Sequence, residues 1–290
     1  MSALSVGLVG AGPWAAMLHA PMLAGGPETT LSAVWARRPE AAQKIAGKHG
    51  GVACATVEEL LDGCDAVAFA VPPDVQVPLA IQAAAAGKAL LLEKPLAADL
   101  DGARRVVDAV ESAGVGSILL VTARYGDATV AFLDEVAGRP WFGARYWNLN
   151  GAFLSGPFSE SPWRHERGAL LDVGPHAIDL VTAAVGPIVD LRAKRSAGGW
   201  VSIVAEHDSG TVSDIALCGR ITGPGGSGFE LHGDEGSTSF DLQGAWGVGD
   251  LLGNIRKAFA GAATGTPHPC DARRGLQLQE WLDQAERQLA

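Results

Sequence analysis

Residues 6–15 read Val6-Gly-Leu-Val-Gly10-Ala-Gly12-Pro-Trp-Ala15, which joins a short apolar strand to a glycine-rich turn and a helix start. Further apolar runs without two-residue alternation recur at 31–35, 66–71, 89–92 and 117–121, and helical segments separate them. Strands of this kind are typical of a parallel sheet that helices cover on both faces. Residues 1–122 are therefore predicted to form a doubly wound α/β domain.

The pattern changes after residue 122. Longer segments that alternate apolar and polar residues lie at 144–149, 188–195, 200–207 and 211–218. The sequence Asp208-Ser-Gly210 supplies a tight hairpin between the last two. This alternation predicts a largely antiparallel sheet in a second domain, residues 123–290, with a helix near 170–185 packed on one face.

Composition limits the class of partner. The chain has 290 residues, of which 48% are hydrophobic and 19% charged, so it is predicted to be globular. A formal net charge of −10 argues against nucleic acid or an anionic membrane as the main partner. No apolar run approaches the length of a bilayer span, and the N-terminus lacks the basic region of a signal peptide. We therefore expect a cytoplasmic protein that acts on a small molecule.

The glycine-rich turn fits the pattern G-x-G-x-x-G/A between a strand and a helix. Gly10 permits the tight turn, Gly12 lets the backbone approach a pyrophosphate, and Ala15 allows close packing of helix and sheet. The helix N-terminus offers N–H groups to phosphates, although Pro13 removes one of them. We predict that Gly10, Gly12, Pro13, Trp14 and Ala15 bind a dinucleotide; a purely structural glycine turn is the alternative.

The end of the second strand bears on the choice of cofactor. An NAD enzyme usually has an acidic residue there that binds the ribose 2′-hydroxyl. Here the strand ends Val34-Trp-Ala36-Arg37-Arg38, with no acid and two arginines. Guanidinium groups suit a 2′-phosphate, so NADP is predicted over NAD. Two solvated arginines at a helix start are the alternative.

Two more segments contain residues suited to hydride-transfer chemistry. Glu93-Lys94-Pro95 follows an apolar strand, and Asp172-Val-Gly-Pro-His176 lies far downstream. His176 titrates near neutrality and suits a general base for alcohol oxidation, or an acid for ketone reduction. Lys94 suits stabilisation of negative charge on the substrate oxygen. Asp172 suits either orientation of the imidazole or binding of a substrate hydroxyl.

Each of these residues also has a structural interpretation, namely a helix cap, a structural histidine and a surface lysine. Their joint occurrence favours catalysis by Lys94, Asp172 and His176. Because proline is poor inside a helix, Pro175 predicts that the regular helix begins near residue 173 or 174, with Asp172 at its edge.

Together these residues resemble the Gfo/Idh/MocA family, named after glucose–fructose oxidoreductase, inositol dehydrogenase and MocA. The resemblance implies a Rossmann domain followed by an α/β domain with an open antiparallel sheet. It also implies NAD(P)-dependent oxidation of a secondary alcohol, or reduction of its ketone, on sugars, cyclitols and related polyols. Homodimers or homotetramers through the open sheet face are implied as well. The matching segments are 10–15, 71–74, 86–88, 93–95, 124–125, 168–180 and 233–236.

The family's catalytic lysine, aspartate and histidine carry over onto Lys94, Asp172 and His176. Two departures from the family matter. Gln76 stands where the family often has histidine near the nicotinamide, which bears on substrate placement, and Ala36 stands where it has the ribose-binding acid, which bears on cofactor choice. The remaining expected residues fall into a cofactor group and a substrate group. They are Pro72, Gln76 and Glu93 on the cofactor side, and Arg124, Trp163, Arg164 and His165 on the substrate side.

No metal is expected, because no HExxH pattern occurs and His165 is not clearly on the face of Asp172 and His176. Asp179 is expected to support either the helix or the residues that contact the ligand. The four cysteines are scattered, which favours thiols in a reducing compartment over disulfides. Two alternatives stay open: a non-catalytic dinucleotide-binding or sensor protein, and an NAD-dependent glycoside-cleaving enzyme on the same scaffold.

Overall fold

The computed structural model describes residues 2–245 and 249–289. This part of the chain forms two compact units. The first runs to Leu120 and also includes Leu252–Gln277, whereas the second runs over Val121–Leu251 and resumes at Leu278. The first break lies close to the boundary expected at residue 122. The return of a C-terminal segment to the first unit was not expected from the sequence.

The first unit contains a six-stranded parallel sheet in the order β3-β2-β1-β4-β5-β6. This order is that of the doubly wound dinucleotide-binding fold, so the predicted architecture is confirmed. Strands β4 and β5 are buried along their whole length, which explains their uninterrupted apolar sequences. The strands are β1 Leu4–Val9, β2 Thr29–Trp35, β3 Val52–Ala53, β4 Ala66–Phe69, β5 Ala89–Leu92 and β6 Ser117–Leu119.

Helices connect these strands. The helix after β1 begins with a π-helical turn, Ala15–His19, and continues as α1. Thr56 caps α3, because its Oγ1 accepts from Glu59 N, and the Glu59 carboxylate reaches back to accept from Ala55 N, just before the cap. The helices are α1 Ala20–Ala24, α2 Pro39–His49, α3 Val57–Asp62, α4 Pro73–Ala85, α5 Leu100–Ala113, α6 Asp127–Val136, α7 Pro162–Val185, α8 Leu251–Ala263 and α9 Ala272–Leu289.

The second unit contains a six-stranded sheet in the order β12-β11-β7-β10-β9-β8. Neighbouring strands of this sheet are antiparallel except for the parallel pair β7 and β10, which confirms the prediction of a largely antiparallel sheet. Strand β9 alternates strictly between buried and exposed residues, and α7 packs against β7, β9 and β10. The strands are β7 Gly143–Leu149, β8 Ile188–Arg195, β9 Val201–His207, β10 Val212–Cys218, β11 Gly226–Gly233 and β12 Gly236–Asp241.

Helix α7 differs from its prediction. It is assigned continuously over Pro162–Val185, with a kink at Gly168, whose φ of 72° and ψ of −171° are non-helical. The expected start near residue 173 or 174 was therefore wrong, and Pro175 lies inside the helix. A proline there removes one backbone hydrogen bond. Burial of most side chains from Ala169 to Val185 offsets that loss.

Helix α7 also satisfies the length and hydropathy expected of a membrane span, with a mean hydropathy of 1.2 in its most apolar window. In that window, however, 72% of the residues are buried inside the protein. The same composition is typical of a core helix, and the packing of α7 on the second sheet accounts for it.

Candidate active site

The glycine-rich turn has the geometry that its two glycines predict. Gly10 adopts a φ of 115°, and a Cβ built there would lie 2.3 Å from the carbonyl oxygen of Ala70. A residue with a side chain would therefore be strained and would clash. A Cβ at Gly12 meets no atom within 4 Å, so the space over this residue is open. Gly10 makes the turn, and Gly12 leaves room for a group to approach the backbone.

A cleft of about 470 Å³ lies beside this turn in the first unit. It is located where β1, β2 and β4 end, which is the point at which the strand order reverses. Dinucleotides bind at this switch point in doubly wound sheets. The cleft is lined by the glycine turn, the end of β2 and the segment after β4, namely Gly10, Ala11, Gly12, Trp35, Ala36, Arg37, Arg38, Ala41, Ala70, Val71, Pro72 and Val75.

Five of the predicted cofactor residues thus line one cleft: Gly10, Gly12, Arg37, Arg38 and Pro72. Both arginine side chains are exposed, and Ala36 occupies the position of the missing acid. An open backbone turn and two cations fit a ligand with several phosphates. The residues present therefore fit NADP.

The other predicted residues of the turn do not line this cleft. Pro13 is exposed and Ala15 is buried, as expected for a residue that packs against the sheet. The indole Nε1 of Trp14 donates to Glu93 Oε1 at 2.6 Å, so two residues predicted to contact the cofactor contact each other.

Lys94 is half-buried in the turn that follows β5. Gln76 supports this turn: its Nε2 donates to the carbonyls of Glu93 at 2.9 Å and Leu96 at 3.0 Å, and its Oε1 accepts from Glu93 N at 2.8 Å. Gln76 is fully buried, so it lies behind the turn. The structure thus gives Gln76 a supporting position that the sequence did not predict.

Asp172 and His176 mark the accessible stripe of α7 in the second unit. Between Leu171 and Leu180 they are the two residues that are not fully buried. Residues four apart share a helix face, so the carboxylate and the imidazole lie on the same side of α7. Asp172 Oδ1 accepts from Arg164 Nε at 3.0 Å.

Arg164 is held by several groups around it. Its guanidinium carbon lies 4.7 Å from the ring centre of Trp163 and 4.8 Å from that of Phe158, and its Nη1 donates to Ser161 Oγ. Cation–π contacts, a hydroxyl acceptor and a carboxylate partner thus all hold the guanidinium group. Trp163 and Arg164, two predicted substrate residues, therefore belong to the immediate surroundings of Asp172.

The other two predicted substrate residues are engaged elsewhere in the second unit. Arg124 Nη1 donates to both carboxylate oxygens of Asp179 at 3.1–3.2 Å, and the Asp179 side chain is only 1% exposed. This pair joins α7 to the segment before α6. His165 is exposed, bonds the carbonyl of Ser159 and lies near the ring of Phe153.

Among residues 2–245 and 249–289, no group of three or more histidine, cysteine, aspartate or glutamate side chains is arranged to hold a metal ion. All four cysteines are free thiols. The predicted site residues therefore lie in two places: the cleft and the Lys94 turn belong to the first unit, and the Asp172–His176 stripe belongs to the second.

Comparison with known proteins agrees with this description. The model of an oxidoreductase family with an NAD-binding Rossmann fold, GFO_IDH_MocA, matches residues 4–120, and that of the GFO/IDH/MocA C-terminal domain matches residues 103–239. A dTDP-3,4-didehydro-2,6-dideoxy-alpha-D-glucose 3-reductase of Streptomyces antibioticus is 30% identical over 74% of this chain and 69% of its own length. An inositol 2-dehydrogenase of Rhizobium meliloti (strain 1021) is 26% identical over 82% of this chain and 75% of its own length.

Solved structures share the fold. GenD2 from gentamicin A biosynthesis, in complex with NAD, has a TM-score of 0.87 at 23% identity and covers 99% of this chain and 94% of its own. KijD10, a 3-ketoreductase from Actinomadura kijaniata in complex with TDP-benzene and NADP, has a TM-score of 0.80 at 18% identity. The match covers 99% of this chain and 98% of KijD10. The chain belongs to the Gfo/Idh/MocA family of oxidoreductases. The prediction of an NAD(P)-dependent oxidoreductase is confirmed.

Proposed function

We propose that the protein transfers a hydride between NADP(H) and a secondary alcohol or ketone carbon of a sugar, cyclitol or similar polyol. The observation that carries the proposal is the pair Asp172 and His176, which share one face of α7 and are the two residues between Leu171 and Leu180 that are not buried. The names of the two curated relatives, an inositol dehydrogenase and a hexose 3-reductase, support the same substrate class.

The roles follow from the chemistry of the side chains. Bound NADP(H) accepts or supplies the hydride, and the protein's own residues handle the proton and the charge. In oxidation, the imidazole of His176 takes the hydroxyl proton, and in reduction it returns a proton to the same oxygen. The ammonium of Lys94 donates to that oxygen and stabilises its developing negative charge. Asp172, fixed by Arg164, orients the imidazole.

The cofactor preference rests on the cleft. Arg37 and Arg38 line it, and Ala36 replaces the acid that would bind a 2′-hydroxyl. Two guanidinium groups favour a 2′-phosphate, so NADP is the proposed cofactor and NAD the weaker one.

The test is a spectrophotometric screen at about 340 nm, the absorbance band of reduced nicotinamide, with both cofactors over a library of polyols and keto-sugars. Turnover with at least one polyol or keto-sugar, faster with NADP(H), supports the proposal. Saturable cofactor binding without turnover on any compound would instead favour a sensor protein. Cofactor that survives purification, together with cleavage of glycosides, would favour the glycoside-cleaving alternative.

We also propose a homodimer or homotetramer that forms through the second sheet. The face opposite α7 exposes Val204 and Val212, each 45% accessible, on adjacent strands. On the same sheet, the indole of Trp147 lies over Gly228, where a Cβ would approach it to 2.3 Å. Exposed apolar groups on a flat sheet favour self-association. Light scattering on the Val204→Asp/Val212→Asp variant should show a smaller particle than the wild type; equal masses would contradict this proposal.

We further propose that the protein works in the cytoplasm. Its four cysteines are free thiols, which is usual in a reducing compartment. Cell fractionation with an antibody would test this location, and recovery outside the cytoplasm would contradict it.

A further inference from the structure

We propose that Glu93 is a positioning residue that couples the helix behind the glycine turn to the backbone of Lys94. This inference rests on the proposed role of Lys94 in the reaction. The residues concerned, here called the Glu93 cluster, all lie in the first unit: Trp14, His19, Gln76, Glu93 and Lys94.

The carboxylate of Glu93 accepts hydrogen bonds from the helix after the glycine turn and from the backbone of Lys94. Its Oε1 accepts from Trp14 Nε1 at 2.6 Å and pairs with His19 Nε2 at 2.8 Å. Its Oε2 accepts from the backbone N of Lys94 at 3.2 Å. Glu93 is only 7% exposed. A buried carboxylate is costly unless donors surround it, so these contacts keep their partners in place.

The π-helical turn explains how two residues of one helix reach the same oxygen. Trp14 and His19 are five positions apart, and in an α-helix such residues point about 140° away from each other. In the turn Ala15–His19, the backbone N–H of Ala20 bonds the carbonyl of Ala15, five residues back. This wider turn brings residues five apart onto one side, and such π-turns occur frequently at functional sites.

His19 has one polar contact in this arrangement. The residue is fully buried, and among the described residues its Nδ1 has no hydrogen-bond partner. If Nδ1 carried a hydrogen, the structure would contain a buried N–H without an acceptor, which is rare in proteins. The hydrogen is therefore assigned to Nε2, from which it is donated to Glu93 Oε1. The imidazole of His19 thus uses its N–H to hold the carboxylate of Glu93.

Gln76 fixes the opposite side of the same turn. Its amide bonds the backbone of Glu93 twice and that of Leu96 once. The backbone around Lys94 is therefore held between α4 and the helix that follows the glycine turn. The Glu93 carboxylate therefore links the position of that helix to the position of the Lys94 backbone.

The experiment compares variants of Trp14 and His19, the two residues that contact Glu93 Oε1. Trp14→Phe removes an N–H and keeps an aromatic ring, and His19→Leu removes the second donor. His19→Gln is the conservative variant, since its amide N–H replaces Nε2–H. For each, kcat at saturating cofactor and substrate, the Kd for NADPH and the melting temperature are measured. Glu111→Gln is the control, because Glu111 is an exposed residue of the same unit that pairs with exposed Arg273.

We expect Glu93→Gln to lower kcat about tenfold or more, as for loss of hydrogen bonds to a charged group. Trp14→Phe and His19→Leu should each lower kcat severalfold at saturating cofactor, and His19→Gln should restore most of it. Glu111→Gln should match the wild type. If Trp14→Phe and His19→Leu only weaken NADPH binding or lower the melting temperature, with wild-type kcat, the coupling is overturned.

Lys94→Ala, measured in the same assays, distinguishes failure of the coupling through Glu93 from failure of the proposed role of Lys94. Wild-type turnover in Lys94→Ala would remove the proposed role of Lys94 itself. Loss of turnover in Lys94→Ala with wild-type kcat in folded Trp14→Phe would keep that role and overturn only the coupling. If Glu93→Gln does not fold, Trp14→Phe and the pair of His19 variants decide the question.

Discussion

The cofactor cleft of the first unit and the Asp172–His176 stripe of the second are built in different ways. The cleft combines a backbone turn, in which Gly10 leaves no room for a side chain and Gly12 opens the space beside it, with the two cations Arg37 and Arg38. The stripe is formed by side chains: Asp172 accepts from Arg164, whose guanidinium lies near the rings of Trp163 and Phe158. Cofactor binding should therefore respond to changes in the glycine turn and in the two arginines, and turnover to changes in the side chains of the stripe.

The largest effect is expected from Lys94 and His176, the side chains proposed to be catalytic. His176→Ala and Lys94→Ala should each lower kcat by about 10²–10⁴, the usual contribution of a proton-transferring group, and leave the Kd for NADP nearly unchanged. Stopped-flow or steady-state kinetics with calorimetric binding would measure both. Lys48→Ala, at an exposed position of α2, is the control. Wild-type turnover in either catalytic variant would remove that residue's assignment.

The next prediction concerns the two glycines. Gly10→Ala introduces a Cβ 2.3 Å from a carbonyl oxygen at a φ of 115° and should destabilise the fold by about 2–4 kcal/mol. Gly12→Ala meets no atom within 4 Å, so its melting temperature should stay near that of the wild type. Its Kd for NADP should nevertheless rise at least tenfold, because the added methyl group occupies the approach to the backbone. A Gly12→Ala variant with unchanged Kd would contradict phosphate binding at this turn.

The same contrast explains what could be predicted from the sequence. The parallel sheet and the glycine turn could be predicted, because local sequence patterns determine the backbone conformation there. The start of α7 was predicted wrongly, since Pro175 is tolerated inside a helix whose burial offsets the lost bond. The contact of His19 with Glu93 was missed, because a π-turn pairs residues that helical periodicity keeps apart. No motif marks Arg164 as the partner of Asp172, or Leu252–Gln277 as part of the first unit.

A variant of Arg164 tests whether the stripe of the second unit affects turnover without affecting cofactor binding. Arg164→Met should lower kcat about tenfold, because Asp172 loses a charged partner that fixes it. The Kd for NADP should stay unchanged, as the cleft residues belong to the first unit. Arg192→Met, at an exposed side chain of β8, is the matched control. A loss of NADP affinity equal to the loss of kcat would show that the two regions are not separable in this way.

The two arginines of the cleft test cofactor choice with a smaller effect. Arg37→Ala/Arg38→Ala should raise the KM for NADP about tenfold, since charge-assisted bonds to the 2′-phosphate are lost. The KM for NAD should change little, so the ratio of the two constants is the measurement. An unchanged KM for NADP would mean that the arginines are only solvated.

The smallest effect concerns the pH dependence of folding. His207, at the end of β9, is 3% exposed; its Nδ1 and Nε2 contact the Gly186 carbonyl and Ser213 Oγ at 2.8 Å. Burial lowers the pKa of His207 in the folded state. In the unfolded chain the pKa is about 6.5. Below that pH the unfolded state binds more protons, so acidification should lower the free energy of unfolding.

Between pH 7 and pH 5, this decrease in the free energy of unfolding should be about 1 kcal/mol smaller in His207→Gln than in the wild type. Denaturant titrations at both values, with His49→Gln as control, measure the difference, and identical pH slopes in wild type and His207→Gln would contradict it.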